Sequence, residues 1–359
     1  MNLSLIKFIN DNDNWKELLS KSPYCIKMQE KDNFILLKYD QINSNFSNDI
    51  VKECRGIILD KNNFKVVCFP FVKFFNVGEL NADKIDWNSA RVQEKIDGSL
   101  MKLWFYDGIW HLSTNGCIDA RDAELSFGNN EYKTFGDLFW KIFDKGNLNK
   151  LNKDYTYMFE LVSPYNRVVV EYDSLDLYHI GTRNNITGEE LEEDIGIKKP
   201  TQYQLSTEEE VKNAASKLKL DHEGYVVVDK YYHRVKIKTP LYVKAHYMFS
   251  SGFNTNKIID LIRDNEQEEF LAYFPYYRQD IELFENKIQN YLNLIVNNWK
   301  DILKFAQDNH KRKDVANYIL NKDKDNSNIY FSLLDGKFDI SEIKSIVMGW
   351  QNKKIIERI

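Results

Sequence analysis

The segment Glu94-Lys95-Ile96-Asp97-Gly98-Ser99, continued by LMKLWFY (100–106), joins a turn signal to a run of strand-forming residues. Asp-Gly favours a tight turn, and Trp, Phe and Tyr favour a pleated strand. The simplest interpretation is a β-hairpin with an exposed lysine before its turn. The alternative is that Lys95 is a nucleophile for nucleotidyl transfer. An ordinary lysine, with a pKa of about 10.4, is almost wholly protonated at pH 7, so this role needs neighbouring cations or a metal.

Further strand-like segments lie on both sides of this stretch, and turn signals separate them. They are rich in Val, Ile, Phe and Tyr, and they are FILLKYD (34–40), RGIILD (55–60), KVVCFPFVKFF (65–75), YMFELV (157–162), RVVVEY (167–172) and GYVVV (224–228). Helical patterns interrupt them at 134–143 and 208–218. Because strands and helices do not alternate strictly, the pattern predicts an antiparallel-rich α+β domain over residues 1–245 and not a doubly wound sheet.

The pattern changes after residue 246. Apolar residues recur at steps of three and four from Ile281 to Ala306, which predicts one long amphipathic helix. Residues 257–270 and 341–350 predict two further helices, and Asp339 with Glu342 makes a capping-box-like start for the second. Residues 246–359 are therefore predicted to form a small all-α domain. An apolar stripe of this kind is most often core.

Composition excludes several classes of protein. The chain has 359 residues with 49 Lys and Arg against 54 Asp and Glu, a formal net charge of −5, so nucleic-acid contact would need a local basic patch. The four cysteines form no C-x-x-C pair, which disfavours a zinc site and a disulfide framework and is typical of a reducing cytoplasm. No run approaches the roughly 18 apolar residues that span a bilayer. We therefore expect a soluble, cytoplasmic protein without membrane contact.

Charged residues at predicted strand ends are the candidates for chemistry. In a strand, Lys236 and Lys238 point to one face. This arrangement is typical of an exposed edge strand that lysines protect from pairing with another chain, and it also suits a site that binds a triphosphate. Glu160 is flanked by apolar residues, which is costly for a carboxylate without a partner. Glu223 precedes a strand and, taken alone, is typical of an acidic residue in a turn. Carboxylates of this kind beside phosphates are the usual ligands of Mg²⁺.

Taken in order, six segments resemble the covalent nucleotidyltransferases, and within them the phage RNA ligase 1 family of tRNA-repair type. The resemblance covers roughly residues 30–247 and rests on ECRG (53–56), EKIDGSL (94–100), FELVSPYNRVVV (159–170), LYHIGTRNNITGE (177–189), EGYVVV (223–228) and VKIKTPLYV (235–243). It implies an adenylation domain of nucleotidyltransferase fold followed by a helical domain that selects the RNA. It also implies ATP and Mg²⁺ or Mn²⁺ as cofactors.

The reaction implied by the resemblance has three steps. A lysine attacks the α-phosphate of ATP to form lysyl–AMP, and AMP then passes to the 5′-phosphate of an RNA end. The 3′-OH of a second end finally attacks, which seals the strand and releases AMP. The implied partner is RNA with 5′-phosphate and 3′-OH ends, with nicked tRNA as the candidate substrate, and the implied enzyme is an RNA ligase acting in RNA repair. The sequence does not reveal the oligomeric state, and we expect a monomer.

The same resemblance assigns catalytic roles residue by residue. Lys95 matches the nucleophile. Glu160 matches a glutamate that contacts the ribose, and Glu223 one that lies near the metal and the α-phosphate, so that Glu223 is the candidate metal ligand. Lys236 and Lys238 match a phosphate-contacting pair.

Four more residues match positions used for binding or for the later steps. Arg55 and Lys73 match residues that contact the nucleotide. Tyr39 matches an upstream nucleotide-contacting tyrosine, although its spacing to Arg55 differs by about one residue. Tyr242 matches a tyrosine needed for ligation.

The chain departs from the family pattern at one motif. Where relatives commonly have Ser-Lys-Gly, this chain has Thr114-Asn115-Gly116, and Arg121 is the candidate substitute for the missing lysine. No acidic pair in the helical region matches the family's additional metal ligands.

Other activities share parts of this pattern. DNA ligases and capping guanylyltransferases use the same lysine chemistry but usually continue into a β-rich oligonucleotide-binding domain, which the helical tail argues against. A non-catalytic RNA-binding protein on a ligase fold is a third reading. Against it, Lys95, Glu160, Glu223, Lys236 and Lys238 are all intact.

Overall fold

The computed structural model describes residues 3–125, 129, 131–219, 221–243, 254–273, 275–308 and 311–359. The chain divides into two compact units. Unit 1 comprises Met1–Asp40 and Ser44–Phe249, and unit 2 comprises Gln41–Asn43 and Ser250–Ile359. The predicted domain boundary between residues 245 and 246 lies outside the described residues. Across the described ranges, no helix combines the length and the apolar character needed to cross a membrane.

Unit 1 consists mainly of short strands. Its described strands are β1 (Ile26–Lys31), β2 (Phe34–Tyr39), β3 (Arg55–Asp60), β4 (Val66–Cys68), β5 (Phe75–Asn76), β6 (Arg91–Lys95), β7 (Ser99–Tyr106), β8 (Ile109–Thr114), β9 (Tyr155–Val162), β10 (Asp176–Asn184), β11 (Glu190–Leu191), β12 (Gln202–Tyr203), β13 (Gly224–Val228) and β14 (Arg234–Lys238). Its described α-helices are α1 (Ser4–Asp11), α2 (Trp15–Ser20), α3 (Asp49–Glu53), α4 (Phe135–Ile142) and α5 (Glu208–Lys217). Short 3-10 helices cover Ala120–Asp122 and Lys145–Lys150.

The strands form three sheets in the described part of unit 1. Sheet A has the order β1-β2-β3-β4, sheet B the order β12-β6-β13-β14-β5, and sheet C the order β11-β10-β9-β7-β8. Neighbouring strands pair antiparallel throughout, except for β14 and β5, which are parallel. The predicted antiparallel-rich α+β class is therefore confirmed.

Sheets B and C each bury one face against a helix. In sheet B, Tyr225, Val227, Val235 and Ile237 pack with Val211 of α5. In sheet C, the residues packed with α4 include Met101, Leu103, Phe159 and Leu161. Because side chains alternate along a strand, the neighbouring residues point to the opposite faces. Those faces carry Lys95, Lys236 and Lys238 from sheet B, and Lys102 and Glu160 from sheet C.

One strand prediction for unit 1 is wrong in part, and another is wrong. Residues 65–75 form two short strands, β4 and β5, and not one. Residues 167–172 form no strand, because the amides of Val169 and Val170 donate to the Asp97 carboxylate and are not available to a sheet. The turn at Asp97-Gly98 also closes no hairpin, since β6 belongs to sheet B and β7 to sheet C. The chain therefore crosses from sheet B to sheet C at this turn, directly after Lys95.

Unit 2 is helical over its described residues. Its α-helices are α6 (Thr255–Asp264), α7 (Gln267–Tyr273), α8 (Arg278–Asp308), α9 (Arg312–Asp323), α10 (Ser327–Leu334), α11 (Ile343–Met348) and α12 (Asn352–Arg358). Helix α8 confirms the predicted long helix, and it buries Ile281, Ile288, Leu292, Ile295 and Ile302. Short 3-10 helices cover Pro275–Tyr277, Lys324–Asn326 and Ile340–Glu342.

The other two helix predictions for unit 2 need correction. The single helix predicted over 257–270 is two helices, because Asn265 adopts a left-handed conformation with φ of 55° and ends α6. The capping box of Asp339 and Glu342 is present. It starts a 3-10 turn at Ile340–Glu342, and the α-helix begins only at Ile343.

Candidate active site

A cavity of about 280 Å³ lies next to Lys95 in unit 1. This volume is close to the lower end of the range of about 300–1,000 Å³ for small-molecule sites. The polar residues that line it include Arg55, Lys95, Asn115 and Glu160. Its apolar lining comes from Phe71, Phe74, Ile96, Leu100, Ile180, Pro200 and Val226. An apolar cavity with a few converging polar groups suits a small-molecule ligand that carries charged or polar groups.

Sheet register brings Lys95, Glu223 and Lys238 together. Gly224 pairs with Lys95 on one side and with Lys238 on the other. Lys95 Nζ lies 2.6 Å from Glu223 Oε2, and Lys238 Nζ lies 3.6 Å from Glu223 Oε1. Glu223 is only 4% exposed, so its carboxylate is stabilised by two cations and not by bulk water. The two predicted lysines therefore share one buried carboxylate.

Glu160 reaches the cavity from the adjoining sheet. It lies on β9 opposite Leu100 of β7, and both residues line the cavity. Burial raises the pKa of Glu160 to about 7, and the positive charge of Lys95 opposes that rise. Glu160 is half-buried, and the enclosing protein removes most of the solvation that an ionised carboxylate requires.

Glu160→Gln is expected to change how stability depends on pH. The unfolded carboxyl has a pKa near 4.3, whereas the folded one holds its proton up to about pH 7. Between these values the folded state binds the extra proton, so this group costs stability progressively as pH rises from about 4.3 to about 7. Glutamine cannot ionise and removes that cost. The melting temperature of the variant should exceed that of the wild type at pH 8, and the difference should shrink at pH 5.

The matched control for this pH series is Glu124→Gln, because Glu124 is an exposed carboxyl of the same unit. Its melting temperature should follow that of the wild type at every pH. If the melting temperatures of Glu160→Gln and the wild type differed by the same amount from pH 5 to pH 8, Glu160 would have the same pKa in the folded and unfolded chains.

Arg55 and Asn115 present polar atoms that the protein itself does not satisfy. Arg55 Nη1 and Asn115 Oδ1 are buried without a hydrogen-bond partner. Such groups are uncommon because each costs about 1–3 kcal/mol when it is left unpaired. Since both residues line the cavity, a bound ligand can supply the partners.

Some predicted binding residues lie outside the cavity lining. Lys73 Nζ lies 5.3 Å from the ring centroid of Tyr39 and 5.2 Å from that of Phe46, in a separate aromatic cluster. Tyr39 is buried in the core of sheet A. Lys236 shares the strand face of Lys238 but is also absent from the cavity lining. None of these three residues lines the cavity.

Tyr242 and Arg121 also lie away from the cavity lining. The Tyr242 hydroxyl donates to Asp97 Oδ1 at 2.8 Å, and Asp97 Oδ2 accepts the amides of Val169 and Val170. Tyr242 therefore contacts the turn that follows Lys95. Arg121 is exposed and paired with Asp119, so it does not replace the missing lysine of the Thr114-Asn115-Gly116 motif at this cavity.

Sequence reasoning assigned no site role to two charged residues that line the cavity, Glu94 and Arg234. Arg234 packs on an aromatic ring and forms an ion pair. Its guanidinium lies 4.0 Å from the Phe71 ring centroid, and its Nη2 donates to Glu190 Oε2 at 2.8 Å. The available signal was its position two residues before Lys236, on the same strand face. Ile180 had no such signal, because it lies at the irregularity that shifts the register of β10 between His179 and Gly181.

The described residues include no cluster of three or more His, Cys, Asp or Glu side chains that could hold a metal ion. Magnesium does not require one, since it is usually held by one or two carboxylates together with substrate phosphates and water. Glu223 fits that requirement as a single carboxylate beside Lys95.

Comparisons with known proteins indicate the family of the chain. A family model described as RNA ligase matches residues 53–242. A protein of Autographa californica nuclear polyhedrosis virus, named as a candidate bifunctional polynucleotide kinase/RNA ligase, is 31% identical over 302 residues, which cover 79% of this chain and 43% of the viral protein. The RNA ligase of Rhodothermus phage RM378 is 27% identical over 286 residues, which cover 61% of this chain and 65% of the phage protein.

A solved archaeal ATP-dependent RNA ligase has the same fold. Its TM-score is 0.51 at 14% identity, over 76% of this chain and 74% of that chain. The nucleotidyltransferase fold expected from the sequence is therefore confirmed. This chain spans only 43% to 65% of the length of the curated relatives named above. The family match nevertheless covers more than half of the chain and includes every motif from Arg55 to Tyr242, so the chain belongs to the phage RNA ligase 1 family.

Proposed function

We propose that this protein is an ATP-dependent RNA ligase that seals 5′-phosphate and 3′-OH ends through lysyl–AMP and RNA–adenylate intermediates. The observation that carries the proposal is the contact of Lys95 with Glu223 at the edge of the cavity, with Lys238 beside them. A lysine held between a buried carboxylate and a ligand-sized cavity is placed to react with whatever the cavity binds.

In the first step, Lys95 Nζ forms a bond to the α-phosphorus of ATP, and the bond to pyrophosphate breaks in line with it. The amine must lose protons to attack, and Glu223 Oε2, at 2.6 Å, is the acceptor in reach. Lys238 lies where it can neutralise charge on the phosphates. A divalent metal held by Glu223 would supply further positive charge to the phosphates.

The nucleoside of the adenylate would occupy the cavity. Ile180 and Val226 offer apolar surface for the base, and Glu160 offers a carboxyl for the ribose hydroxyls. Arg55 Nη1 and Asn115 Oδ1, which lack partners within the protein, would hydrogen-bond the nucleotide. Binding in this cavity leaves the lysyl–AMP bond at the strand end, where an RNA 5′-phosphate can attack it.

We extend the proposal to the RNA. AMP passes from Lys95 to the 5′-phosphate, and the 3′-OH then displaces AMP to form the phosphodiester. The substrate we propose is a broken RNA such as nicked tRNA, with unit 2 contributing to its selection and the protein acting as a monomer. Tyr242, which contacts the turn after Lys95 through Asp97, is proposed to act in the ligation steps.

The test is covalent labelling. Purified protein is incubated with Mg²⁺ and either α-labelled ATP or α-labelled GTP, after intact mass has excluded pre-existing adenylate. Acid-labile label from ATP alone, followed by transfer to 5′-phosphorylated RNA and sealing to a 3′-OH end, is the expected result. Label from GTP would instead indicate a capping enzyme. Absence of label from both nucleotides would overturn the proposal in favour of a non-catalytic RNA-binding protein.

A further inference from the structure

Lys102 is a buried cation that the reaction as described does not use. It lies on β7, two residues after Leu100 on the same strand face, and it is 0% exposed. Its ammonium donates to the carbonyl of Gly56, the residue that directly follows Arg55. No ion pair among the described residues includes Lys102, and burial together with the charges of Arg55 and Lys38 lowers its pKa to about 8.

A lysine in this setting is costly for the fold. A buried cation without a carboxylate partner loses hydration that one carbonyl does not replace. Its neighbours Arg55 and Lys38 carry like charge and add repulsion. An apolar side chain of similar volume would avoid these costs, so retention of a lysine at this position calls for a role beyond packing.

The Lys102 ammonium lies next to the two cavity residues that lack partners. Gly56 has a φ of +81°, and a Cβ added to it would lie 2.9 Å from Asn115 Oδ1 and 3.0 Å from Lys102 Nζ. Lys102 and Asn115 therefore contact the same side of the Arg55–Gly56 backbone. Arg55 Nη1 and Asn115 Oδ1 are the buried, unsatisfied atoms of the cavity. The amine thus lies next to the backbone that joins Arg55 to Gly56 and on the same side of it as Asn115.

We propose that Lys102 supplies, from strand β7, positive charge to the nucleotide site beside Arg55 and Asn115. In this role it is a positioning residue for nucleotide binding. Its hydrogen bond to Gly56 fixes the backbone beside Arg55, and its charge favours anionic ligand groups at the cavity. The inference rests on the proposed function, because the ligand concerned is ATP.

The test is a mutant cycle between positions 102 and 115. Lys102→Gln keeps a donor for the Gly56 carbonyl but removes the charge. It should raise the ATP concentration for half-maximal adenylylation by about tenfold to a hundredfold, with a smaller change in rate at saturating ATP. Adding Asn115→Lys to that variant should recover most of the loss. A purely structural lysine would not be rescued in this way, because the added cation does not restore its packing.

Two controls keep the outcome decisive. Lys7→Gln, on the exposed surface of α1, should leave the ATP dependence unchanged. Asn115→Lys alone, which leaves Lys102 in place, should weaken ATP binding because it crowds a second cation against Lys102 and Arg55. This variant decides the question even if Lys102→Gln does not fold. Tighter ATP binding by Asn115→Lys alone, or unchanged ATP dependence of folded Lys102→Gln, would overturn the proposal.

Direct ATP binding, measured by calorimetry on the same variants, separates this inference from the proposed function. If the wild type binds ATP but forms no lysyl–AMP, the proposed activity is wrong, and the binding constants still decide the role of Lys102. If the wild type forms lysyl–AMP while all variants bind ATP alike, only the role of Lys102 is wrong.

Discussion

Lys95→Met is expected to form no covalent AMP adduct, a loss of at least about 10³-fold relative to the wild type. Methionine has a similar length and no nucleophilic nitrogen, so the first bond of the reaction cannot form. The variant should remain folded, because Lys95 lies at the end of β6 and Glu223 keeps Lys238 as a neighbouring cation at 3.6 Å. The measurement is acid-labile label from α-labelled ATP, with circular dichroism to verify folding.

Two further variants serve as controls for the labelling of Lys95→Met. Lys7→Met makes the same chemical change on the surface of unit 1 and should label like the wild type. Lys238→Met should label slowly, by about 10²-fold, because it removes a charge near the phosphates but not the attacking atom. A covalent adduct on Lys95→Met at the wild-type rate would mean that another residue is the nucleophile.

Gly224→Ala is expected to give the largest loss of stability among single substitutions near the cavity. Gly224 has a φ of +144°, and an added Cβ would lie 2.1 Å from Ile237 O and 2.7 Å from Lys238 Cα. Both atoms belong to the backbone, so no rotamer change relieves the overlap. Strands β13 and β14 would have to separate where they pair, which combines backbone strain with overpacking and costs about 3 kcal/mol.

The matched control is Gly108→Ala in the turn between β7 and β8. Gly108 also has a positive φ, of +82°, but nothing lies within 4 Å of an added Cβ. Its expected cost is therefore only about 1 kcal/mol of conformational strain. Thermal melts of both variants should show a shift of about 6–12 °C for Gly224→Ala and less than half of that for Gly108→Ala. Equal shifts in melting temperature would show that the steric overlap at Gly224 is relieved with little loss of stability.

The Gly224 variant also tests how the site is assembled. Gly224 pairs with both Lys95 and Lys238, so separation of β13 from β14 moves the two lysines apart. Covalent labelling by any folded fraction should therefore fall as well. Gly108→Ala should retain labelling, because its turn lies at the far end of β7 from Lys95.

Much of the local structure follows from the sequence. Glu160 and Lys238 both lie on the predicted strands, because β-branched and aromatic runs specify strands through nearby residues alone. The long helix α8 follows from apolar spacing for the same reason. The segment at 167–172 has an equally strong strand pattern and yet forms a loop, because the amides of Val169 and Val170 donate hydrogen bonds to the Asp97 carboxylate. That partner lies more than 70 positions away in the chain.

The sequence by itself determined the fold class and the order of the motifs, because these depend on composition, alternation and short spacings. The resemblance carried by those motifs then gave Lys95 as the candidate nucleophile. Only the tertiary structure decided which charged groups meet. The contact of Lys95 with Glu223 joins residues 128 positions apart, and that of Lys102 with Gly56 joins residues 46 apart. Register within sheet B sets the first contact, whereas the second joins sheet C to sheet A and depends on how these two sheets pack together. A local sequence pattern therefore predicts which face of a strand a side chain occupies, but it does not predict which residue that side chain contacts.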